Sequence, residues 1–379
     1  MSDNTDGNTT PFFLCYLETT RKCNLSCPYC MTRKDGADEN AELPGEQIKT
    51  LVLDELAEAR PGAAVAYSGG ETLLRDDALD LVAHGAARGL ATFLNTNGLA
   101  LTDEILPRLR DAAQDRLVVV LPFNSVEEES QKWTRDDSAD TVMRAADRCE
   151  KAGVEHFFLV TVSSKTTDSI ARTMQYLKRR QTPVLRAPFV PRGAGAGYRE
   201  LLLNRDVMEQ LVHPALTGNH LSYISFTPFF ASPDALERTW QTNGVRIAGL
   251  GCHAGRSFAA VSVEGDISPC VQLLDSSAVC GNVTRDKLSE VLDSHPVFEG
   301  LRSREAYEGK CGRCRYLMTC GGCRAMALYA GDGLFGEDPT CFFEPTSPED
   351  VSPLEEEQTL GTKKFIEFIK YNEPWNTLF

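Results

Sequence analysis

The sequence predicts an α/β protein in which a partial, TIM-like (β/α)6 barrel precedes a small cysteine-rich domain. Two observations predict this class. Strand-like and helix-like segments alternate from residue 12 to about residue 190, the pattern of parallel strands joined by crossover helices. From residue 251 to residue 343, cysteine and glycine dominate and apolar runs are short, so this region needs metal to hold a fold.

The barrel is predicted from runs of β-branched and aromatic residues and from apolar residues at helical spacing. The predicted strands cover 12–18, 63–70, 90–98, 116–123, 154–162 and 182–191. The predicted helices cover 46–59, 77–88, 103–113, 139–153 and 169–180. Active sites of such barrels lie at the carboxyl ends of the strands. The loop after the first strand is therefore expected on the functional face.

Five segments follow from these patterns. They are a disordered N-terminus (1–11), the barrel core (12–200), a connecting region (201–250), the cysteine-rich domain (251–343) and an acidic linker with a C-terminal amphipathic tail (344–379).

The charge and hydropathy of the chain exclude several classes of partner. The formal net charge is −15 over 379 residues, and such a field repels phosphate backbones, so no nucleic acid is expected. No apolar run is long enough to span a membrane, and the polar N-terminus does not read as a signal peptide. We therefore expect a cytoplasmic protein without a membrane partner.

Cysteine placement indicates metal binding. The chain has 13 cysteines, an odd number that argues against a disulfide framework in an intracellular protein. Cys23, Cys27 and Cys30 follow the first strand with the spacing C-x₃-C-x₂-C. A structural zinc site wants four protein ligands, whereas three thiolates on a four-iron cluster leave one iron open. A zinc knuckle completed by a distant ligand remains the alternative.

The cysteine loop, "SGGE" at 68–71 and "NTNG" at 95–98 together resemble the radical S-adenosylmethionine (AdoMet) enzymes. The resemblance implies that Cys23, Cys27 and Cys30 bind a 4Fe-4S cluster whose open iron chelates AdoMet. "VVLPFNS" departs from the family pattern at the fourth strand, so the ribose contact there is assigned only to its polar residues. The implied AdoMet-binding residues are Tyr29, Ser68, Gly69, Gly70, Glu71, Asn95, Thr96, Asn97, Asn124, Ser125 and Arg135.

The second cysteine group resembles the SPASM extension of radical enzymes that mature peptides, although the third interval of its core "CGRCRYLMTCGGC" is C-x₂-C rather than C-x₃-C. The resemblance implies two auxiliary 4Fe-4S clusters, three clusters in all. The inner group would be Cys252, Cys270 and Cys323, and the outer group Cys311, Cys314, Cys320 and Cys341. Cys280 is the candidate eighth ligand, with a buried inert thiol as its alternative. Two four-cysteine zinc sites are the alternative for the whole region.

The family implies reductive cleavage of AdoMet to a 5′-deoxyadenosyl radical, which abstracts a hydrogen atom from the substrate. We expect oxidative modification, a dehydrogenation or a cross-link, of a peptide or protein. The alternatives are a dehydrogenase or epimerase of a small sugar or aminocyclitol, and a non-catalytic iron–sulfur electron carrier. Cys15, Cys149 and Glu18 are the candidate hydrogen donors and base.

Two protein partners are expected. Reduction of the first cluster requires an electron donor such as a flavodoxin or ferredoxin. Cys23 comes too early in the chain to leave room for the winged-helix module with which many peptide maturases hold a leader. A peptide substrate is therefore expected to need a separate leader-binding protein.

Overall fold

The computed structural model describes residues 13–33, 41–180, 182–209, 251–314, 316–318 and 320–345. The predicted N-terminus, most of the connecting region and most of the C-terminal tail lie outside the described residues. Within them, the predicted α/β class with a partial barrel is confirmed. None of the helices in this part of the chain combines the length and apolar character that a membrane span needs.

Six parallel strands form the barrel core in chain order. They are β1 (Leu14–Thr20), β2 (Ala64–Gly69), β3 (Ala91–Asn95), β4 (Leu117–Pro122), β5 (Glu155–Val162) and β6 (Val184–Pro188). Each pairs in parallel with the next. All six strands predicted from the sequence are present. β1 begins and ends two residues later than predicted, and the other five are shorter by one to a few residues because their glycine and polar ends belong to loops.

Helices connect these strands. They are α1 (Gly45–Gln47, Ile48–Asp54 and Glu55–Ala59, with π-helical turns in its middle part), α2 (Ala78–Ala87), α3 (Ile105–Ala112), α4 (Glu128–Arg135), α5 (Ala139–Ala152) and α6 (Thr167–Arg179). Only α4 was not predicted. Its buried residues are Ser130, Gln131 and Thr134, so it lacks the apolar stripe by which a helix is recognised in a sequence.

The cysteine-rich region continues the barrel sheet. β7 (Phe258–Val261) pairs in parallel with β1, and β8 (Asp266–Ser268) and β9 (Gly281–Asn282) extend it antiparallel. The order is β6-β5-β4-β3-β2-β1-β7-β8-β9. Four helices follow, α7 (Leu288–Ser294), α8 (Pro296–Ser303), α9 (Gly309–Gly312) and α10 (Arg324–Ala330). The two parts of the chain thus share one sheet, and β7 covers the edge of β1.

The sheet has two different faces, because successive side chains of a strand point to opposite sides. One face packs against the helices in the main apolar core, which includes Cys15, Leu17, Tyr67 and Cys149. The inner face carries a smaller cluster formed by strand residues, with Tyr16, Leu159 and Leu185 packed against it. The helix layer therefore supplies the stability, and the inner face is left for a ligand.

Candidate active site

The predicted motifs meet at the carboxyl ends of β1, β2 and β3. The cysteine loop follows β1, "SGGE" ends β2 and "NTNG" ends β3. These strands are adjacent in the sheet, so the three motifs lie side by side. This is the edge at which parallel barrels place their active sites.

The three thiols of the first loop lie within electrostatic reach of one another. Cys27 is buried and Cys23 is exposed. Burial raises the pKa of Cys27, and Cys30 and Cys23 raise it further, whereas Arg135 lowers it. Thiols that influence one another in this way fit a polynuclear cluster that takes ligands from several sides. Among the described residues, no three His, Cys, Asp or Glu side chains are arranged to hold a single metal ion.

The glycines of "SGGE" allow β2 to approach the cysteine loop. Gly70 N donates to Thr20 O at 2.6 Å and Glu71 N donates to Lys22 O at 2.8 Å. A Cβ on Gly70 would collide with the carbonyl oxygens of Arg21 and Lys22, and Gly69 has a φ of +123°. Larger residues would therefore push the cysteine loop away. The close approach made by these glycines is to protein backbone, and their contact with AdoMet stays a prediction.

Glu71 joins the ends of β2 and β3. Its carboxylate accepts Thr96 Oγ1 at 2.9 and 3.0 Å, Asn97 N at 2.8 Å and Leu73 N at 3.2 Å. Burial raises the pKa of Glu71, and the hydrogen bonds from Asn97 and Leu73 oppose that shift. A fully buried carboxyl that accepts this many hydrogen bonds has a structural role. It fixes the "NTNG" turn relative to "SGGE".

Asn97 ties the third motif to the first. Its Nδ2 donates to Asn24 Oδ1 at 2.7 Å and lies 3.9 Å from Cys23 Sγ. Its Oδ1 accepts Leu99 N at 2.9 Å. Together with Glu71, Asn97 makes one hydrogen-bonded unit of the three loops. The arrangement is consistent with a preformed cradle for a cluster and its bound ligand.

Tyr29 and Asn124 belong to a buried network beside the cysteine loop. Asn124 Nδ2 donates to Tyr29 Oη at 2.6 Å, and Asn124 Oδ1 accepts Thr161 N at 2.9 Å. The Tyr29 ring packs edge-on against Phe189 at 5.5 Å, and burial raises its pKa. Both polar ends of the Asn124 amide are thus used within the protein. Its contact with ribose stays a prediction.

Ser125 is engaged in the same way. Its Oγ donates to Ser169 Oγ at 2.9 Å and accepts Glu127 N at 3.0 Å, while Gln131 Oε1 accepts Ser125 N. Ser125 is fully buried. Its hydrogen bonds fix the loop between β4 and α4, and its predicted AdoMet contact remains untested by the geometry.

Arg135 brings positive charge to the cluster loop. It ends α4, and its carbonyl oxygen accepts the Cys27 thiol at 3.0 Å. Its cation also lowers the pKa of Cys23 and Glu71. Among the described residues, its guanidinium makes no salt bridge. A cation within electrostatic reach of Cys23, Cys27 and Glu71 can receive the carboxylate of a ligand bound there.

The accessible part of the sheet is the inner face near the carboxyl ends of the strands. Several residues that point to this face are half-buried, whereas the residues between them on the helix side are buried. They are Tyr16, Ser68, Asn95, Pro122, Leu159, Thr161, Leu185 and Ala187. The lining is neutral and largely apolar. The half-buried residues lie on six adjacent strands, beside the cysteine loop.

Glu18 is held in a buried ion pair that the sequence did not predict. Arg192 donates to both Glu18 oxygens at 2.8 and 3.2 Å, and also to Asp275 Oδ2 at 2.9 Å and to Leu274 O at 3.1 Å. Burial raises the pKa of Glu18, and Arg192 opposes that shift. The pair links β1 to the loop after β6 and to the cysteine-rich region. A carboxylate with a bidentate partner is a poor base, so its predicted catalytic role finds no support here.

The candidate hydrogen donors Cys15 and Cys149 lie elsewhere. Both are fully buried in the core between sheet and helices. Burial raises the pKa of each thiol to about 12. In β1, Cys15 points away from the inner face that carries Tyr16 and Glu18. Both thiols are placed as inert core residues would be, and a hydrogen-donor role stays a prediction without geometric support.

In both the inner and the outer cysteine group, neighbouring thiols contribute to the raised pKa of a cysteine. Burial and then Asp338 raise the pKa of Cys323, with further contributions from Cys252 and Cys270. Burial raises the pKa of Cys341, with contributions from its outer-group partners Cys320 and Cys311. Cys323 is thus within electrostatic reach of Cys252 and Cys270, and Cys341 of Cys320 and Cys311. The assignment of each cysteine to a cluster remains a prediction.

Buried arginines surround these thiols. Arg304 and Arg324 are fully buried, and Arg304 Nε has no hydrogen-bond partner among the described residues. Buried cations are costly unless an anion compensates them. Clusters with thiolate ligands carry net negative charge and supply that compensation. The residues present thus fit auxiliary iron–sulfur clusters.

Cys280 lies one strand away from the inner group. Its N donates to Ile267 O at 2.8 Å, which places it opposite the strand that leads to Cys270. Its Sγ donates to Ala278 O at 3.2 Å, and burial alone raises its pKa to about 12. Its role as the eighth ligand stays a prediction, with both alternatives open.

We expect Cys280→Ala to alter the electron paramagnetic resonance (EPR) spectrum of the inner cluster or to lower the iron content, because one iron would lose its ligand. Cys149→Ala is the matched control, since it removes a buried thiol remote from both groups. A Cys280→Ala protein with the spectrum and iron content of the wild type would favour the inert thiol.

Two family models match this chain. The Radical SAM superfamily matches residues 17–177, and the SPASM iron–sulfur cluster-binding domain matches residues 252–315. Residues 17–177 thus carry a Radical SAM domain, and residues 252–315 carry a SPASM domain. A domain of the first kind binds AdoMet and a 4Fe-4S cluster, and the second implies auxiliary iron–sulfur clusters.

Curated relatives of more than one activity are similar to this chain. An AdoMet-dependent heme synthase of Methanosarcina barkeri is 28% identical over 342 residues, covering 86% of this chain and 95% of the relative. The mycofactocin maturase MftC of Mycolicibacterium smegmatis is 28% identical over 336 residues, covering 86% and 81%.

Solved structures show the same fold. Native anSMEcpe with bound AdoMet has a TM-score of 0.64 at 18% identity, covering 87% of this chain and 94% of that one. Streptococcus suis SuiB bound to its precursor peptide SuiA has a TM-score of 0.63 at 15% identity, covering 88% and 76%. At these identities the likeness concerns the fold alone.

Proposed function

We propose that this protein is a radical SAM oxidoreductase that reductively cleaves AdoMet and oxidises a peptide or protein substrate, giving a dehydrogenated or cross-linked residue. The observation that carries the proposal is the unit formed by Glu71 and Asn97, which joins the cysteine loop, "SGGE" and "NTNG" beside an accessible inner face. A simple electron carrier needs no such cradle. The unit therefore supports a catalytic role.

Different residues of the chain would bind the cluster, bind AdoMet and position the loops. Cys23, Cys27 and Cys30 hold the first cluster, and Arg135 receives the carboxylate of AdoMet. Glu71 keeps the loops in register. When bound, AdoMet and the reduced cluster supply a radical that removes a hydrogen atom from the substrate. The apolar inner face excludes water from that site.

The cysteine-rich domain would hold two further clusters, three in all, that take an electron from the substrate. Its sheet continues directly from β1, and Arg192 joins its Asp275 to Glu18 of the barrel. The inner group is thus tied to the mouth of the barrel. An electron donor of the flavodoxin or ferredoxin class would reduce the first cluster.

A peptide substrate is supported by the similarity to the mycofactocin maturase and by an inner face that extends across six strands. Such a face can accept an extended chain, and a separate leader-binding protein would deliver it. The second candidate is a heme precursor. The heme synthase relative has the same identity as the maturase, and a larger share of its own length is matched, 95% against 81%. The apolar lining also suits a flat macrocycle.

The substrate class is tested with reduced, reconstituted enzyme and AdoMet. Precursor peptides with their leader-binding proteins, iron porphyrin precursors of heme and aminosugars are offered separately. We measure 5′-deoxyadenosine and the product mass. We expect the loss of two hydrogen atoms from a peptide, because the auxiliary clusters provide an electron exit.

A no-substrate reaction corrects for uncoupled cleavage of AdoMet. Turnover of the porphyrin alone would replace the peptide proposal with the second candidate, and turnover of the aminosugar alone would reject both. Solvent deuterium in a product without loss of hydrogen would indicate epimerisation.

A further inference from the structure

Arg324 is a fully buried cation at the junction of the inner and outer cysteine groups. It directly follows Cys323 of the inner group and begins α10. Its Nη2 donates to Cys311 Sγ of the outer group at 3.7 Å. Its Nη1 donates to Leu334 O at 3.0 Å and to Gly336 O at 2.7 Å. One side chain therefore spans from one ligand set to the other.

The guanidinium is fixed in place. It lies over the Tyr307 ring, 4.4 Å from the ring centroid, and its Nε donates to Gly322 O at 3.3 Å. Arginine presents five N–H groups in a rigid plane. Bonds from Nε and Nη1 to three carbonyl oxygens leave the two N–H groups of Nη2, which donates to the sulfur. The geometry is that of a placed donor rather than of a mobile surface charge.

The surroundings of Cys311 Sγ favour a charged, hydrogen-bonded thiolate. Asp338 N donates to the same sulfur at 3.4 Å. A Cβ on Gly322 would come within 3.1 Å of that sulfur and 2.9 Å of Asp338 Cβ, so the close packing requires glycine here. These groups are shielded from solvent, since Cys311, Arg324 and Asp338 are all buried.

We propose that Arg324 is a positioning residue for electron transfer, which raises the reduction potential of the outer auxiliary cluster through its N–H on Cys311 Sγ and its buried charge. This inference rests on the proposed function, because it requires that the outer group binds a cluster. Hydrogen bonds to sulfur, net charge and burial set the potential of such clusters. A buried cation stabilises the reduced form, which carries one more negative charge.

Arg304 provides a matched control. It is also fully buried, and it also bridges carbonyl oxygens, those of Leu317 and Cys252. Among the described residues, its hydrogen bonds go to these carbonyl oxygens and not to Cys311 Sγ. Loss of Arg304 therefore removes a buried cation and two carbonyl contacts without removing the N–H on Cys311.

The test compares Arg324→Gln, Arg324→Lys and Arg304→Gln in the reconstituted full chain. Iron and sulfide are counted, and the clusters are titrated with dithionite and followed by EPR, without AdoMet or substrate. For Arg324→Gln we expect the ratio of reduced to oxidised outer cluster at fixed potential to fall about tenfold, a shift of about 59 mV to more negative potential. Arg304→Gln should shift it much less.

Three results would overturn the inference. One is full iron in Arg324→Gln with an unchanged potential, and another is an equal shift in Arg304→Gln. The third concerns an Arg324→Gln protein that loses the outer irons. In that case Arg324→Lys is compared with it: recovery of the irons at a near wild-type potential supports the role of the charge. No recovery of the irons would show that the residue is merely structural. A wild-type chain without auxiliary clusters would instead refute the proposed function.

Discussion

Replacing Cys23, Cys27 and Cys30 together with alanine should abolish AdoMet cleavage and leave about eight of about twelve irons in the reconstituted chain. The loop should keep its path, because backbone and amide contacts hold it: Gly70 N to Thr20 O at 2.6 Å and Asn97 Nδ2 to Asn24 Oδ1 at 2.7 Å. Removing the thiols therefore removes the ligands and leaves the fold.

The measurements for this triple variant are iron and sulfide per chain and 5′-deoxyadenosine formed under reducing conditions. The control is the double variant Cys15→Ala, Cys149→Ala, which removes two buried thiols of the helix-side core and should keep the full iron content. If 5′-deoxyadenosine still forms in the triple variant, the first cluster has been assigned to the wrong cysteines.

The barrel was predictable because its signals are local. Each strand is a short apolar run, and five of the six connecting helices carry an apolar stripe, so alternation alone predicts parallel strands. α4 was missed because its buried face is polar, with Gln131 Oε1 accepting Asn124 N at 2.9 Å and Ser125 N at 3.1 Å. β7 was missed because its pairing with β1 joins segments more than 200 residues apart.

The motifs were found for the same reason, since each lies within a few residues of sequence. What holds them together is not local. Glu71 reaches Thr96 and Asn97 across two strand ends, and Arg324, next to Cys323 of the inner group, reaches Cys311 of the outer group. Spacing in a sequence reveals the ligands of a cluster, whereas the buried arginines that surround them resemble any surface arginine until the fold is known.

The ion pair of Glu18 and Arg192 is the clearest of these long-range features, and breaking it should have a large effect. The two residues are 174 positions apart and their side chains are only 4% and 2% exposed. Arg192→Met would leave the Glu18 carboxylate buried without a cation, and Asp275 would lose the same partner. Removing one partner of a buried pair costs roughly 3–5 kcal/mol.

Urea unfolding of the reconstituted protein measures this cost, and Glu18→Gln is the matched single variant. Glu18→Gln leaves Arg192 paired with Asp275 Oδ2 at 2.9 Å, so it should cost only about 1–3 kcal/mol. The double variant Glu18→Gln, Arg192→Met should be more stable than the sum of the single effects predicts, because it no longer buries the Glu18 charge. The same ion pair joins β1 to Leu274 and Asp275, which lie a few residues after Cys270. Arg192→Met should therefore also disturb the spectrum of the inner cluster.

The contradicting result is additivity of the two single-variant losses in unfolding free energy, together with an unchanged spectrum of the inner cluster. It would mean that the ion pair neither stabilises the fold nor positions the SPASM domain at the mouth of the barrel.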